Sequence, residues 1–291
     1  MKRESLGHLI AFFTVFVWGL TFVSTKVLLD SFTPAEILFI RFLLGFIALF
    51  IIYPKKAKIF KIKDEILFIA AGLFGICLYM LLENTALSYT FASNVGMLVS
   101  ISPFISALLA YLFLKDEKLN FMFFLGMVLA LTGVSFIIFN GAVVLEINPL
   151  GDILALLAAV SWAFYSLFVK KISFLGIHPV QSTRKIFFYG LLFTLPYLLY
   201  TGFHIEQEDV LNMKNISNLL FLGFGASALC FVTWSYAVNI LGTVKTSIYI
   251  YFIPVMTVIS SMIILNEKLT LYSVIGIILI VTGLFLSNKK H

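Results

Sequence analysis

The sequence predicts an all-α integral membrane protein of ten transmembrane helices, built as two inverted five-helix repeats, and three observations carry that prediction. The 291 residues are 61% apolar and 12% charged, with a mean hydropathy of +1.07. Soluble domains run about 45–50% apolar and roughly 25% charged, so the excess must face lipid. Apolar runs of the ~20 residues that a membrane-spanning helix needs follow one another almost end to end. Finally, the two halves of the chain match each other at nearly constant offsets.

The first span covers 7–29, after Lys2 and Arg3. The second, 34–53, opens on Thr33-Pro34-Ala35-Glu36, a capping box with proline at the first helical position. Lysines 55, 56, 58, 61 and 63 separate it from the third span, 66–88. The fourth, 92–114, and the fifth, 121–139, are divided by Lys115 and Lys118. Residues 140–148 are the linker, and Asn148-Pro149 is a helix-start signal for the sixth span, 150–171, which ends on Lys170 and Lys171. The seventh, 179–201, and the eighth, 216–240, flank Glu206, Glu208, Asp209 and Lys214. The ninth, 243–265, and the tenth, 271–287, flank Lys268. The first repeat is therefore 1–139 and the second 149–291.

Lys/Arg bias in short loops orients the chain. With the N-terminus inside, thirteen basic residues fall on the cytoplasmic side and two, Lys214 and Lys268, on the other. Both termini are predicted to be cytoplasmic in a multi-pass cell-membrane protein. The net charge of +6 is thus a topology signal, with no nucleic-acid patch. The first apolar run is too long for a signal-peptide core and lacks a small-residue cleavage site, so it is expected to stay as a span. Cys77 and Cys230 lie inside apolar runs without metal-ligand spacing and read as small apolar fillers. No cofactor or metal is expected.

The duplication is specific. Gly7, Trp18 and Lys26 match Gly151, Trp162 and Lys170 at an offset of 144; Ala86 and Pro103 match Ala237 and Pro254 at 151; Gly126 and Gly133 match Gly276 and Gly283 at 150. Five spans per half is an odd number, so the halves enter the membrane in opposite directions. Inverted repeats are a signature of secondary transporters, because exchanging the conformations of two opposed halves turns an inward-open state into an outward-open one. One fused chain supplies both halves, so a monomer suffices.

Several stretches resemble the EamA-type transporters of the drug/metabolite transporter superfamily. Ala86-Leu87, Ala92, Pro103 and Leu114-Lys115-Asp116-Glu117-Lys118-Leu119, then Gly126 and Thr132-Gly133, carry the resemblance; Pro254, Leu265-Asn266-Glu267-Lys268-Leu269, Gly276 and Thr282-Gly283 repeat it. Trp18-Gly19 and Trp162-Ala163 also fit. The resemblance implies a ten-helix basket around a central cavity, exporting metabolites such as amino acids, or drugs. Small four-helix multidrug relatives carry a proton-coupling Glu in their first helix; here that helix has no acid in its membrane interior, so that role does not carry over.

Candidate site residues follow from what is costly in lipid. Pro103 and Pro254 fall near mid-membrane, where proline removes an i→i−4 bond and kinks a helix; they read as gating residues or as plain structural kinks. Trp18 and Trp162 sit at mid-depth although Trp prefers the interface, so they line a wet cavity, with Tyr165 and Thr21 nearby, or pack between helices. Arg41 and Glu83 lie at similar depth, roughly 8–10 Å in at ~1.5 Å per residue. An ionised group there is costly unless paired or wet. They form either a structural salt bridge or a substrate site, Arg41 offering a fork to a carboxylate and Glu83 taking an ammonium or proton. Tyr79 shares Glu83's helix face. Lys245 either binds substrate or snorkels to the nearby interface.

The expected function is export of small neutral or zwitterionic metabolites by alternating access, amino acids first, with lipid and a small solute as partners. A multidrug exporter is the alternative within transport. An intramembrane lipid-modifying enzyme is the alternative outside it, but the four histidines (His8, His178, His204, His291) are scattered and form no H-E-x-x-H motif.

Overall fold

A computed structural model describes residues 2–55, 61–89, 92–114, 121–139, 148–203, 207–256, 259 and 270–287. Among these residues the chain is helical with no strand. The helices are α1 (Lys2–Leu28), α2 (Pro34–Ile52), α3 (Ile62–Tyr89), α4 (Ala92–Val99), α5 (Ser102–Phe113), α6 (Phe121–Phe139), α7 (Pro149–Ser173), α8 (Pro179–Thr201), α9 (Gln207–Leu211), α10 (Met213–Leu241), α11 (Thr243–Ser247) and α12 (Leu271–Ser287). Among the described residues five stretches are long and apolar enough to cross a membrane: Arg3–Thr21, α2, α3, α7 and α10. Side chains such as Ile51, Leu199 and Phe121 are more than 70% exposed; apolar surface on this scale marks contact with lipid.

Helix ends follow local chemistry. Thr33 accepts from the Glu36 amide and Glu36 accepts from the Thr33 amide, closing the anticipated capping box on α2. Asn148 caps α7 at the Gly151 amide, and the His178 ring caps α8 at Val180. Gly202 and Gly242 end α8 and α10 at φ of 86° and 87°, a region that disfavours side chains. The Glu117-Lys118 and Glu267-Lys268 turns, together with the basic residues at 56, 58, 115, 118, 289 and 290, lie outside the described residues.

Three features depart from plain spans. First, α3 and α10 each carry a π-helical segment, Leu73–Leu78 and Phe221–Leu229, at places related by the 151-residue offset. Such segments are rare and leave carbonyls without their usual partners. Second, the expected single helix over 92–114 breaks at Ser100–Ile101, so Pro103 stands in the first turn of a new helix, where its missing N–H costs nothing. Third, α11 passes into a 3₁₀ segment, Ile248–Phe252, just before Pro254. Both prolines therefore sit at discontinuities, and neither kinks an otherwise regular helix.

Packing joins the halves in reciprocal fashion. α1 lies on the second part of α10, and α7 on the second part of α3; α2 packs on α8 and on the π segment of α10, and α8 on that of α3. α6 and α12 run antiparallel along each other. A Cβ on Gly133 would meet the Gly276 carbonyl at 2.6 Å and a Cβ on Gly276 would meet that of Gly133 at 2.6 Å; Gly126 and Gly283 face each other in the same mutual way. Small residues let backbones approach closely where lipid gives no hydrophobic drive to association.

Candidate functional site

Where α1, α3, α7 and α10 converge, aromatic rings from both halves meet. Trp18 (α1), Trp162 (α7) and Trp234 (α10) form a triangle with ring centroids 5.3 Å (18–162), 5.7 Å (162–234) and 5.1 Å (18–234) apart. Tyr79 lies 4.9 Å from Trp162, Tyr165 lies 5.0 Å from it, and Phe231 closes one side at 5.6 Å from Trp18. All six come together in the central core. Trp18 donates its indole N–H to the Ala226 carbonyl at 3.0 Å, inside the α10 π segment. Ser161 donates to the Phe74 carbonyl at 2.7 Å, inside that of α3. In each half, then, the widened turn presents a carbonyl to the first helix of the other half. The indole N–H groups of Trp162 and Trp234 are buried without a hydrogen-bond partner. Leaving such a donor unmatched costs about 1–3 kcal/mol, which a solute acceptor would recover.

Arg41 and Glu83 border this cluster, both buried. The Arg41 Nε donates to the Ser227 hydroxyl at 3.0 Å, Nη1 approaches the Met80 sulfur at 4.0 Å, and the guanidinium lies 5.3 Å over the Phe42 ring. Among the described residues the ion pairs within 4.0 Å are Lys185–Glu65 and Lys245–Glu4. Arg41 and Glu83 therefore do not close a direct bridge. The Tyr79 hydroxyl and the Arg41 guanidinium both act electrostatically on Glu83. The arrangement places one cation, one acid and two unmatched N–H donors around a set of aromatic faces.

The sequence-predicted residues divide accordingly. Trp18, Tyr79, Trp162 and Tyr165 are brought together, with Arg41 and Glu83 alongside. Lys245 is elsewhere, on α11, paired with Glu4 at 2.9 Å near the start of α1, where His8 also meets the Tyr249 hydroxyl at 2.7 Å. Pro103 and Pro254 mark discontinuities in separate elements. Sequence reasoning missed Trp234 and Ser227. Trp234 is one of only three tryptophans and lies inside the eighth span, which could have flagged it, but the repeat register sets it opposite Glu83, not opposite a tryptophan. Cys77 and Cys230 are buried free thiols, and no group of three potential metal ligands occurs among the described residues.

A second set of contacts ties the halves at one rim. Arg184 of α8 donates to the Tyr53 and Lys55 carbonyls beyond α2. His178 stacks on Tyr53 at 4.8 Å and meets the Tyr236 hydroxyl at 3.1 Å. Glu65 binds Lys185 at 2.7 Å and accepts from the Tyr189 hydroxyl.

The model of the EamA-like transporter family matches the chain twice, over residues 5–139 and 149–289. A chain described as an uncharacterized transporter of Archaeoglobus fulgidus is 27% identical, with 99% of each chain covered. A protein of Salmonella typhimurium named "Probable amino-acid metabolite efflux pump" is 30% identical, covering 96% of this chain and 93% of its own length. A crystal structure at 18% identity superposes with a TM-score of 0.79 over 98% of this chain and 96% of that one, a likeness of fold. Matched along nearly its whole length, and carrying apolar helices that can cross a bilayer, the chain belongs to the EamA-like transporter family.

Proposed function

We propose that the protein exports small zwitterionic or neutral metabolites, amino acids and their relatives first, by alternating access between two inverted five-helix repeats. The aromatic cluster where both halves meet, with Arg41 and Glu83 at its edge, carries this reading. A carboxylate would displace Ser227 from Arg41 and gain a charge-assisted fork. An ammonium would lie against Glu83 and the indole faces. Dianionic compounds fit poorly, since Arg41 is the one cation at the cluster among the described residues. The amino-acid metabolite efflux name of the Salmonella relative agrees with this substrate class.

Ten spans and an inverted arrangement are part of the proposal. Their support is the duplicated family match, the odd number of predicted spans per half and the mutual Gly126–Gly283 and Gly133–Gly276 contacts between antiparallel helices. In this scheme both termini are cytoplasmic in the cell membrane, a single chain suffices, and the solute parts the rings of Trp18, Trp162 and Trp234 as one face closes and the other opens. Residues 1–139 and 149–291 move as the two bodies about the 140–148 linker.

Export from loaded proteoliposomes, screened over labelled amino acids, dipeptides, polyamines and sugar phosphates, tests the reading. Zwitterions should exchange across the bilayer. A response confined to dianions or strongly cationic drugs would replace the substrate class, the latter in favour of the multidrug alternative. If Glu83 carries a coupling proton, Glu83→Gln abolishes uphill flux while downhill exchange continues; equal uphill flux in the variant removes that role.

A further inference from the structure

Beside the aromatic cluster lies a second set of unmatched polar groups. The hydroxyls of Ser102 and Ser106 on α5, Ser166 on α7 and Tyr251 in the 3₁₀ segment are all buried without a hydrogen-bond partner. None of these residues exceeds 2% exposure. The elements that carry them pack on one another: α5 on α7, and α11 with its 3₁₀ extension on α5. Tyr251 shares one buried cluster with Ala107 and Leu167, the chain neighbours of Ser106 and Ser166. Ser102 and Ser106 are one turn apart on the same face of α5, and Ser166 is one turn from Trp162 on α7.

Backbone oxygens join them. Pro103 has no N–H to offer the Val99 carbonyl, and the Phe104 amide turns to Ile101, away from Ser100. The α4–α5 break therefore leaves two carbonyls without their i+4 donors at the C-terminal, electronegative end of α4. Unwound carbonyls and half-helix C-termini in discontinuous membrane helices suit small cations. The oxygens on these elements are hydroxyl and carbonyl. A buried hydroxyl left unmatched is costly, and here four such hydroxyls lie on three elements packed on one another.

We propose that the junction of the α4–α5 break, α7 and the 3₁₀ segment binds a small monovalent alkali cation through Ser102, Ser106, Ser166, Tyr251 and the Val99 and Ser100 carbonyls. This site is distinct from the Arg41–Glu83 edge and does not depend on which solute the protein carries. Because Ser166 is one turn from Trp162, occupancy is reported by indole fluorescence as well as by stability.

The test uses the purified full chain in detergent without any solute, in sodium, potassium or choline chloride at equal ionic strength. Sodium or potassium should raise Tm by about 2–4 °C over choline and alter tryptophan emission saturably. Ser166→Ala and Tyr251→Phe should abolish both responses while keeping the choline Tm, since each removes a hydroxyl that has no other partner. Equal Tm and emission in all three salts would overturn the site, as would an alkali response that survives in the Ser166→Ala/Tyr251→Phe double variant. Failure of solute export bears on the transport reading alone, because no solute enters this measurement.

Discussion

The two halves of this molecule share a scaffold and differ in chemistry. In the register set by the opening prolines Pro34 and Pro179, an offset of 145, Phe42 matches Phe187, and these two rings touch at 4.8 Å. Trp18 matches Trp162, and they touch at 5.3 Å. Gly126 and Gly133 meet the matches of each other across α6 and α12. These like-with-like contacts hold the halves together. The charged positions break the match: Arg41 stands opposite Ile186, and Glu83 opposite Trp234. One half thus brings the cation and the acid, while the other brings an aliphatic side chain and an unmatched indole. Like residues thus form the contacts between the halves, whereas unlike ones set a charged wall against an apolar one. A second Arg41–Glu83 set would add another cation and another acid to the buried charges, each costly unless paired or wet.

Breaking the shared scaffold should have the largest effect. Gly133→Leu drives a branched side chain into the Gly276 backbone and should separate α6 from α12. Overpacking typically costs about 1–3 kcal/mol and sometimes more, and here backbone cannot yield as a flexible side chain would. Loss of a monodisperse peak in size-exclusion chromatography is the readout, and a variant as stable as wild type would mean that the helices do not meet as described.

Next comes the charged edge. Arg41→Met removes a charge-assisted donor, worth about 1.5–3 kcal/mol, so solute affinity in a binding titration should fall roughly 10–150-fold. The equivalent change in the other half, Ile186→Met, should leave affinity nearly unchanged; comparable losses at both positions would erase the asymmetry. Smaller again is Trp234→Phe, which keeps an aromatic face, trims the indole to a single ring and deletes the N–H. With a neutral hydrogen bond worth about 0.5–1.5 kcal/mol, affinity should fall roughly 2–12-fold for solutes that present an acceptor and stay level for those that do not.

The smallest effect belongs to Lys245→Met. Its partner Glu4 is about one-third exposed, and such pairs are worth about 0–1 kcal/mol. Thermal stability should barely move and substrate affinity not at all. A large loss of affinity would bring Lys245 back to the binding site.

Much of the helix layout was legible, because length and hydropathy alone separate lipid-facing runs from charged loops. The capping box at Thr33–Glu36 was readable for the same local reason. Hidden features depend on hydrogen-bond register or on neighbours distant in sequence. Nothing in the composition of Leu73–Leu78 distinguishes a π turn from an α turn. The break at Ser100 was foreshadowed by Pro103, yet a kink and a fresh helix start leave the same trace in sequence. Depth and opposite sign left a direct Arg41–Glu83 bridge and a substrate site both open; the packing brings Ser227 of α10 to Arg41 at 3.0 Å, and among the described residues the direct bridge does not form. Trp234 escaped because a search for matched residues passes over the one that differs.

The widened turns in α3 and α10 also set an angle. A helix advances about 100° per residue, so one extra residue in a turn rotates everything beyond it by that amount. Tyr79 and Glu83 lie beyond Leu73–Leu78, and Phe231 and Trp234 beyond Phe221–Leu229. Deleting a single residue from either segment would restore a regular helix and swing those side chains roughly a quarter-turn, toward lipid or a neighbouring backbone. An insertion that looks like an irregularity of the ladder is what aims both walls of the cluster at each other.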